Sequence, residues 1–416
     1  MNPFRYFAHR ASQWSPLPVL SENPERHLRI CVEGFGDWGN RVYRPAIKAA
    51  RDGGARISAL YRDIRAEARV LDLTPWEEFE IKQDPFEPPH NAPDLVIVAT
   101  PDSAHTRVLR AAARQEAAVI VEKPFGVTAA EVIRTRALPG LVLGVDHFPA
   151  YIAAATGQAE QIWEHLGGEV DSVRFVLLQR TPVEATRLPS LGTGLTFDML
   201  PHFLALLVSL GLTGPVADAV LTGAGQHVPL VRDGLGERLP WSGNFAYQAE
   251  TWSETRFTLT GTSTRHAVVC TGLVGKGFPL DARFLELGSP SGAAVRLDLG
   301  SPSWQDTGYP CGTVALLTPP LARDHSTWLL PDPSRIRGTG PRLVTTRPYE
   351  SIIAQFTGGA ATPRASSCLF SLDECEWIMS VLEPLGTDAR HLAIGEGGTD
   401  HRLGEYPVLD NGRIWC

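Results

Sequence analysis

The chain has 416 residues, 43% hydrophobic and 20% charged, with a net charge of −8 and an isoelectric point near 5.9. That length exceeds what one hydrophobic core usually organises, so two domains are expected. An acidic balance without a Lys/Arg block argues against nucleic acid as a partner, and apolar runs such as Ala117 to Val121 and Phe203 to Leu210 fall short of the roughly 20 residues that cross a bilayer.

Residues 1–27 contain no apolar h-region and are read as a packed or oligomer-contacting N-terminal arm. From Leu28 the chain alternates short β-branched runs with Ala-rich periodic segments, the pattern of βαβ units. Strands are predicted at Leu28 to Glu33, Arg56 to Tyr61, Asp94 to Ala99, Ala118 to Glu122 and Val142 to Asp146. Helices are predicted at Asn40 to Asp52, His105 to Gln115 and Ala129 to Arg136. Leu73 to Pro93, rich in proline and acid, reads as an irregular surface insertion.

Beyond residue 150 the texture changes to longer alternating segments joined by Gly, Ser and Pro, as an antiparallel sheet requires. Two helices interrupt them, Ala150 to Leu166 and Leu195 to Leu210. Helical periodicity returns at Tyr349 to Phe356 and at Ser371 to Leu382, the latter opened by a Ser371/Glu374 capping box. The expected fold class is α/β: a Rossmann domain with a doubly wound parallel sheet over 28–148, then an α+β domain with a large, mostly antiparallel open sheet over 149–385, then a tail over 386–416. Six cysteines form no CxxC pair and no cluster with histidine, so no metal is expected and a reducing, cytoplasmic setting is read.

Gly34-Phe35-Gly36-Asp37-Trp38-Gly39 follows an apolar strand and opens a helix, the frame in which GxGxxG holds a dinucleotide pyrophosphate. The second strand ends on Tyr61 and Arg62. A guanidinium there suits a 2′-phosphate and an aromatic ring suits adenine, so NADP(H) is expected, with NAD the alternative. The chain holds only four lysines, Lys48, Lys82, Lys123 and Lys276, against a large excess of arginine, so a lysine in a motif is not merely the default cation.

Three further segments carry a resemblance: Ala99-Thr100-Pro101-Asp102-Ser103-Ala104-His105, Glu122-Lys123-Pro124-Phe125-Gly126, and Gly192-Thr193-Gly194 preceding Phe197-Asp198-Met199-Leu200-Pro201-His202. Together they resemble the Gfo/Idh/MocA family of oxidoreductases, over residues 28–210 in detail and more loosely to Leu382. The resemblance implies that Lys123 meets the nicotinamide ribose and a substrate hydroxyl, and that Asp198 and His202 complete the site. It also implies that Thr100, Pro101, His105, Glu122 and Pro124 line the cofactor. At helical spacing i and i+4, Asp198 and His202 share a face, and histidine titrates where a hydroxyl proton must be exchanged. Gly144-Val145-Asp146-His147-Phe148 is similar to a segment of glucose-6-phosphate dehydrogenases, in which the histidine binds sugar phosphate; the GKE that follows there is replaced by Pro149-Ala150-Tyr151. His147 and Tyr151 are therefore substrate-side candidates.

The implied reaction is hydride transfer between nicotinamide and a secondary carbinol of a sugar, sugar phosphate, nucleotide sugar or cyclitol. Two alternatives stay open: reduction of an imine, tetrapyrrole or dihydrodiol on the same fold, and a non-catalytic cofactor-sensing regulator. Arg180, Glu184 and Arg187 read as a solvated loop, and Trp241 and Trp252 as core or interface. The open sheet implies a homo-oligomer, a dimer or tetramer.

Overall fold

The computed structural model describes residues 2–13, 27–36, 38–64, 72–84, 87–89, 91–114, 117–179, 194–225, 230–232, 238–240, 252–261, 266–276, 282–299, 314–317, 327–329, 346–357, 367–394, 409–410 and 413–415. Two compact units emerge. One comprises Ala8–Ala150 and Val344–Ser380, the other Met1–Phe7, Tyr151–Leu343 and Val381–Cys416. Residues 344–380, expected in the second domain, thus belong with the first.

In the first unit, β1 (Leu28–Glu33), β2 (Ile57–Asp63), β3 (Glu77–Ile81), β4 (Leu95–Val98), β5 (Ala118–Glu122) and β6 (Val142–Val145) form one parallel sheet ordered β3-β2-β1-β4-β5-β6. Every residue of β4, β5 and β6 is buried, which is why these strands are continuous apolar runs rather than alternating ones. Helices α1 (Arg44–Asp52), α2 (Asp102–Ala113) and α3 (Ala129–Thr135) supply crossovers, and α1 is preceded by a wider π-turn over Gly39–Tyr43. The Thr128 side chain caps α3 by accepting from Glu131 N.

Strand β3 lies inside the segment expected to be irregular. Its sequence EEFEI is acidic and partly exposed, as suits an edge strand, and that composition hid it.

The late residues join this unit through specific contacts. Leu369–Phe370 pairs antiparallel with β6, and Gly144 of β6 is packed so tightly that a Cβ there would lie 2.5 Å from Cys375 Sγ. Arg10 is buried and binds Glu374 Oε1 and Oε2 at 2.7 and 3.0 Å, Ser367 O at 3.1 Å and Leu369 O at 2.6 Å. The predicted capping box forms: Glu374 N donates to Ser371 Oγ, and Ser371 N donates to Glu374 Oε2.

In the second unit, β7 (Ser172–Gln179), β8 (Val216–Gly225), β9 (Trp252–Leu259), β10 (Val268–Lys276), β11 (Ala282–Gly288), β12 (Ala294–Asp298) and β13 (Val314–Leu317) form a sheet ordered β13-β12-β11-β7-β10-β9-β8. Only β7 and β10 pair in parallel. Helix α4 (Gly194–Ser209) lies on this sheet, with Phe203 stacked on Phe175 at 5.1 Å. A Cβ at Gly272 of β10 would meet Phe203 at 3.1 Å and Leu200 at 3.3 Å, so the glycine allows the close approach. The helix expected over 150–166 is broken into Pro149–Ile152, a 3₁₀ stretch over Ala153–Gln158, and Ala159–His165. No helix among the described residues is long and apolar enough to cross a membrane.

Candidate active site

Strand order in the first unit reverses between β1 and β4, and the loops after those strands meet there. Gly34 has φ +86°, and a Cβ on it would lie 2.6 Å from Thr100 N and Cα. Only glycine satisfies both the left-handed backbone and this approach. A Cβ at Gly39 would sit 3.1 Å from Gly34 O, so that glycine also keeps the turn tight. Lys123 follows β5 on the same edge of the sheet, with a cis peptide bond to Pro124. Carboxyl-end edges at a reversal of strand order are where open parallel sheets bind ligands.

The predicted cofactor residues fall into an accessible set and a sealed set. Gly34, Gly36, Trp38, Thr100, Pro101 and Lys123 keep contact with solvent. Phe35, Gly39, Tyr61, Arg62, His105, Glu122 and Pro124 are buried. Asp37 lies outside the described residues.

Arg62 requires a correction. Register places it between Glu33 of β1 and Glu80 of β3, and its guanidinium is fully buried among them. It binds Glu33 Oε1 at 2.6 Å, Glu80 Oε2 and Oε1 at 3.0 and 3.3 Å, and the carbonyls of Glu87 and Pro88. Lys82 closes on the other Glu33 oxygen at 3.0 Å. Burial acts to lower the guanidinium's pKa, but the two carboxylates outweigh it and hold it charged. Arg62 is thus committed to a buried ion cluster, not presented to a 2′-phosphate. Tyr61, expected against adenine, packs on Phe35 at 4.4 Å and donates to Glu77 Oε1 at 3.1 Å.

His105 is likewise internal: Nδ1 lies 2.7 Å from Pro124 O and Nε2 2.5 Å from Thr100 O, so the ring sits between the two site loops and, when neutral, donates to one of the two carbonyls. Burial is the main cause pushing its pKa down, and Lys123 adds to it. Glu122 Oε1 accepts from Trp38 Nε1 at 2.8 Å and from the Tyr43 hydroxyl at 2.7 Å, tying the glycine turn and its following helix to the end of β5. Burial raises the Glu122 carboxyl above its ordinary range, against the pull of Tyr43, Trp38 and Lys123. His147 is buried, its ring 5.6 Å from Trp38 and 6.2 Å from Tyr349. Tyr349, which the sequence did not single out, is fully buried, and its hydroxyl has no hydrogen-bond partner among the described residues.

In the second unit every residue of α4 is buried except Asp198. His202, one turn on, is among the buried ones, as is Tyr151. Asp198 Oδ2 accepts from Lys276 Nζ at 2.7 Å, a partner that the sequence counted among four lysines without giving it a role. Trp252 packs against the cluster formed by Val176, Leu178, Leu273, Ala282 and Phe284. Arg180, Glu184, Arg187, Gly192, Thr193 and Trp241 lie outside the described residues.

A nicotinamide dinucleotide is the group this frame implies, and the residues fit it. The turn has no side chain at its closest approach, and the accessible residues converge from the loops after β1, β4 and β5. The fit does not extend to a 2′-phosphate at Arg62.

Residues 28–138 match the family model described as "Oxidoreductase family, NAD-binding Rossmann fold". The match is confined to the NAD-binding part of the first unit. No curated protein matches the chain. Among solved structures, an oxidoreductase from Thermotoga maritima is similar with a TM-score of 0.57 at 13% identity, over 88% of this chain and 97% of that one. KijD10, a 3-ketoreductase from Actinomadura kijaniata solved with TDP-benzene and NADP, is similar with a TM-score of 0.53 at 16% identity, over 87% of this chain and 98% of that one. At these identities the structures show a shared fold.

Proposed function

We propose that the chain is a nicotinamide-dependent oxidoreductase acting between a secondary alcohol and a ketone of a sugar, sugar phosphate, nucleotide sugar or cyclitol. The observation that carries this is the glycine turn at the β1/β4 reversal with Lys123 on the same sheet edge. A bound nicotinamide dinucleotide supplies the hydride donor or acceptor. Lys123 positions the reacting oxygen, His202 exchanges its proton, and Asp198 orients the hydroxyl-bearing substrate. KijD10's being a 3-ketoreductase supports ketone reduction as the reaction class. NAD(H) and NADP(H) are both admitted, because the residue that pointed to the phosphorylated form is committed elsewhere.

The test is NADH and NADPH oxidation with a panel of ketosugars. Wild type is expected to turn over at least one of them. Lys123→Ala is expected to lower that turnover by about 10²–10⁴-fold while dinucleotide still binds. Near-normal turnover in the variant overturns the assignment of Lys123.

A further inference from the structure

Helix α4 is sealed by apolar packing along its length, yet leaves Asp198 with 28% of its side chain exposed. The Lys276 side chain, 17% exposed, ends β10 and places its ammonium 2.7 Å from that carboxylate. The other lysines with described ion pairs differ: Lys48 pairs with Asp52 on the surface, and Lys82 is buried against Glu33. In a chain far richer in arginine than in lysine, a compact ammonium stands beside the one partly exposed residue of an otherwise buried helix. An ammonium carries three donors, of which Asp198 takes one, and unlike a guanidinium it can turn the others toward a single oxygen.

We propose that Lys276 and Asp198 form a subsite for a neutral vicinal diol or α-hydroxyketone, in which Lys276 is the positioning residue. This rests on the proposed function and narrows it. One substrate oxygen accepts from the ammonium while the neighbouring hydroxyl donates to the carboxylate, so the pair reads two adjacent oxygens of opposite hydrogen-bonding sense. The pair is electrically neutral overall. A phosphate placed on the ammonium would meet Asp198 within contact distance, and that like-charge approach selects against a charged substituent here.

The experiment exploits the scarcity of lysine. Acetylation of Lys276 is followed by mass spectrometry in the full chain with saturating NAD+ or NADP+, alone and with sorbitol, myo-inositol, glucose or glucose 6-phosphate. At least one neutral polyol is expected to slow Lys276 labelling severalfold, and glucose 6-phosphate to protect less than glucose. Asp198→Asn is expected to speed labelling in the absence of polyol. Kinetically, for any panel substrate that wild type turns over, Lys276→Met is expected to raise KM by about ten- to a hundredfold with a smaller change in kcat, with partial rescue in Lys276→Arg. Equal protection by all compounds, protection by none, or stronger protection by the phosphate overturns the subsite. A wild type that binds and protects but oxidises no NADH or NADPH overturns the proposed function instead, since labelling needs no turnover.

Discussion

Replacing Arg62 by Met separates the two roles its position could give it. The guanidinium touches Glu33 at 2.6 Å, Glu80 at 3.0 and 3.3 Å, and the carbonyls of Glu87 and Pro88 at 2.8 and 3.4 Å. Removing one partner of a buried ion pair costs about 3–5 kcal/mol, because the charge left behind stays desolvated. Lys82 remains 3.0 Å from Glu33, and Glu80 is only partly buried. The lower end, about 3 kcal/mol, is therefore the expected loss. At about 2–4 °C per kcal/mol for a domain of this size, melting should fall by roughly 6–12 °C. The ratio of NAD+ to NADP+ affinity, measured by calorimetric titration, should change less than about threefold, since the side chain never reaches the ribose. A residue holding the 2′-phosphate would behave oppositely, weakening NADP+ alone by about 10–150-fold for a lost charged hydrogen bond. That selective loss with an unchanged melting temperature would refute the structural role of Arg62.

Gly34→Ala should abolish measurable dinucleotide binding by calorimetry. Its Cβ would lie 2.6 Å from the Thr100 backbone at φ +86°, and the turn can relieve that overlap only by opening; retained affinity would show that the nucleotide lies elsewhere. Glu122→Gln keeps an acceptor for Trp38 and Tyr43 but removes a buried charge. Because the folded carboxyl's pKa is raised above its ordinary 4.5, its stabilisation is complete below that value and fades as pH rises through the folded pKa. The variant should therefore gain stability relative to wild type on the neutral side and match or lose at acid pH, as denaturant melts across pH will show; a gap that narrows toward neutrality would contradict the burial of this charge.

Much of the first unit was legible because its strands are buried on both faces: DLVIVA and AVIVE read as interior parallel strands without any tertiary knowledge. The glycine turn was legible for a related reason, since backbone geometry at a tight turn dictates residue type, whereas Lys123 was singled out by the EKP resemblance and the scarcity of lysine. Strand β3 was not, because EEFEI at a sheet edge obeys neither rule. Arg62 was placed correctly at a strand end, but the direction of its side chain depends on Glu33 and Glu80 arriving beside it in register, which only the assembled sheet determines. The Asp198–Lys276 pair was invisible for the same reason: the residues meet only when α4 lies on the sheet containing β10. Attachment of 344–380 to the first unit depends on Arg10 and Cys375 packing at the β6 edge, contacts with no local signature.

Lys123 should be the lysine that a bound dinucleotide shields. With wild-type protein, the acetylation rate of Lys123 relative to Lys48, which is 67% exposed and ion-paired on the surface, is measured with and without saturating NAD+ or NADP+. Nucleotide is expected to slow Lys123 at least severalfold and to leave Lys48 unchanged. A Lys123 to Lys48 rate ratio that saturating nucleotide leaves unchanged would contradict it.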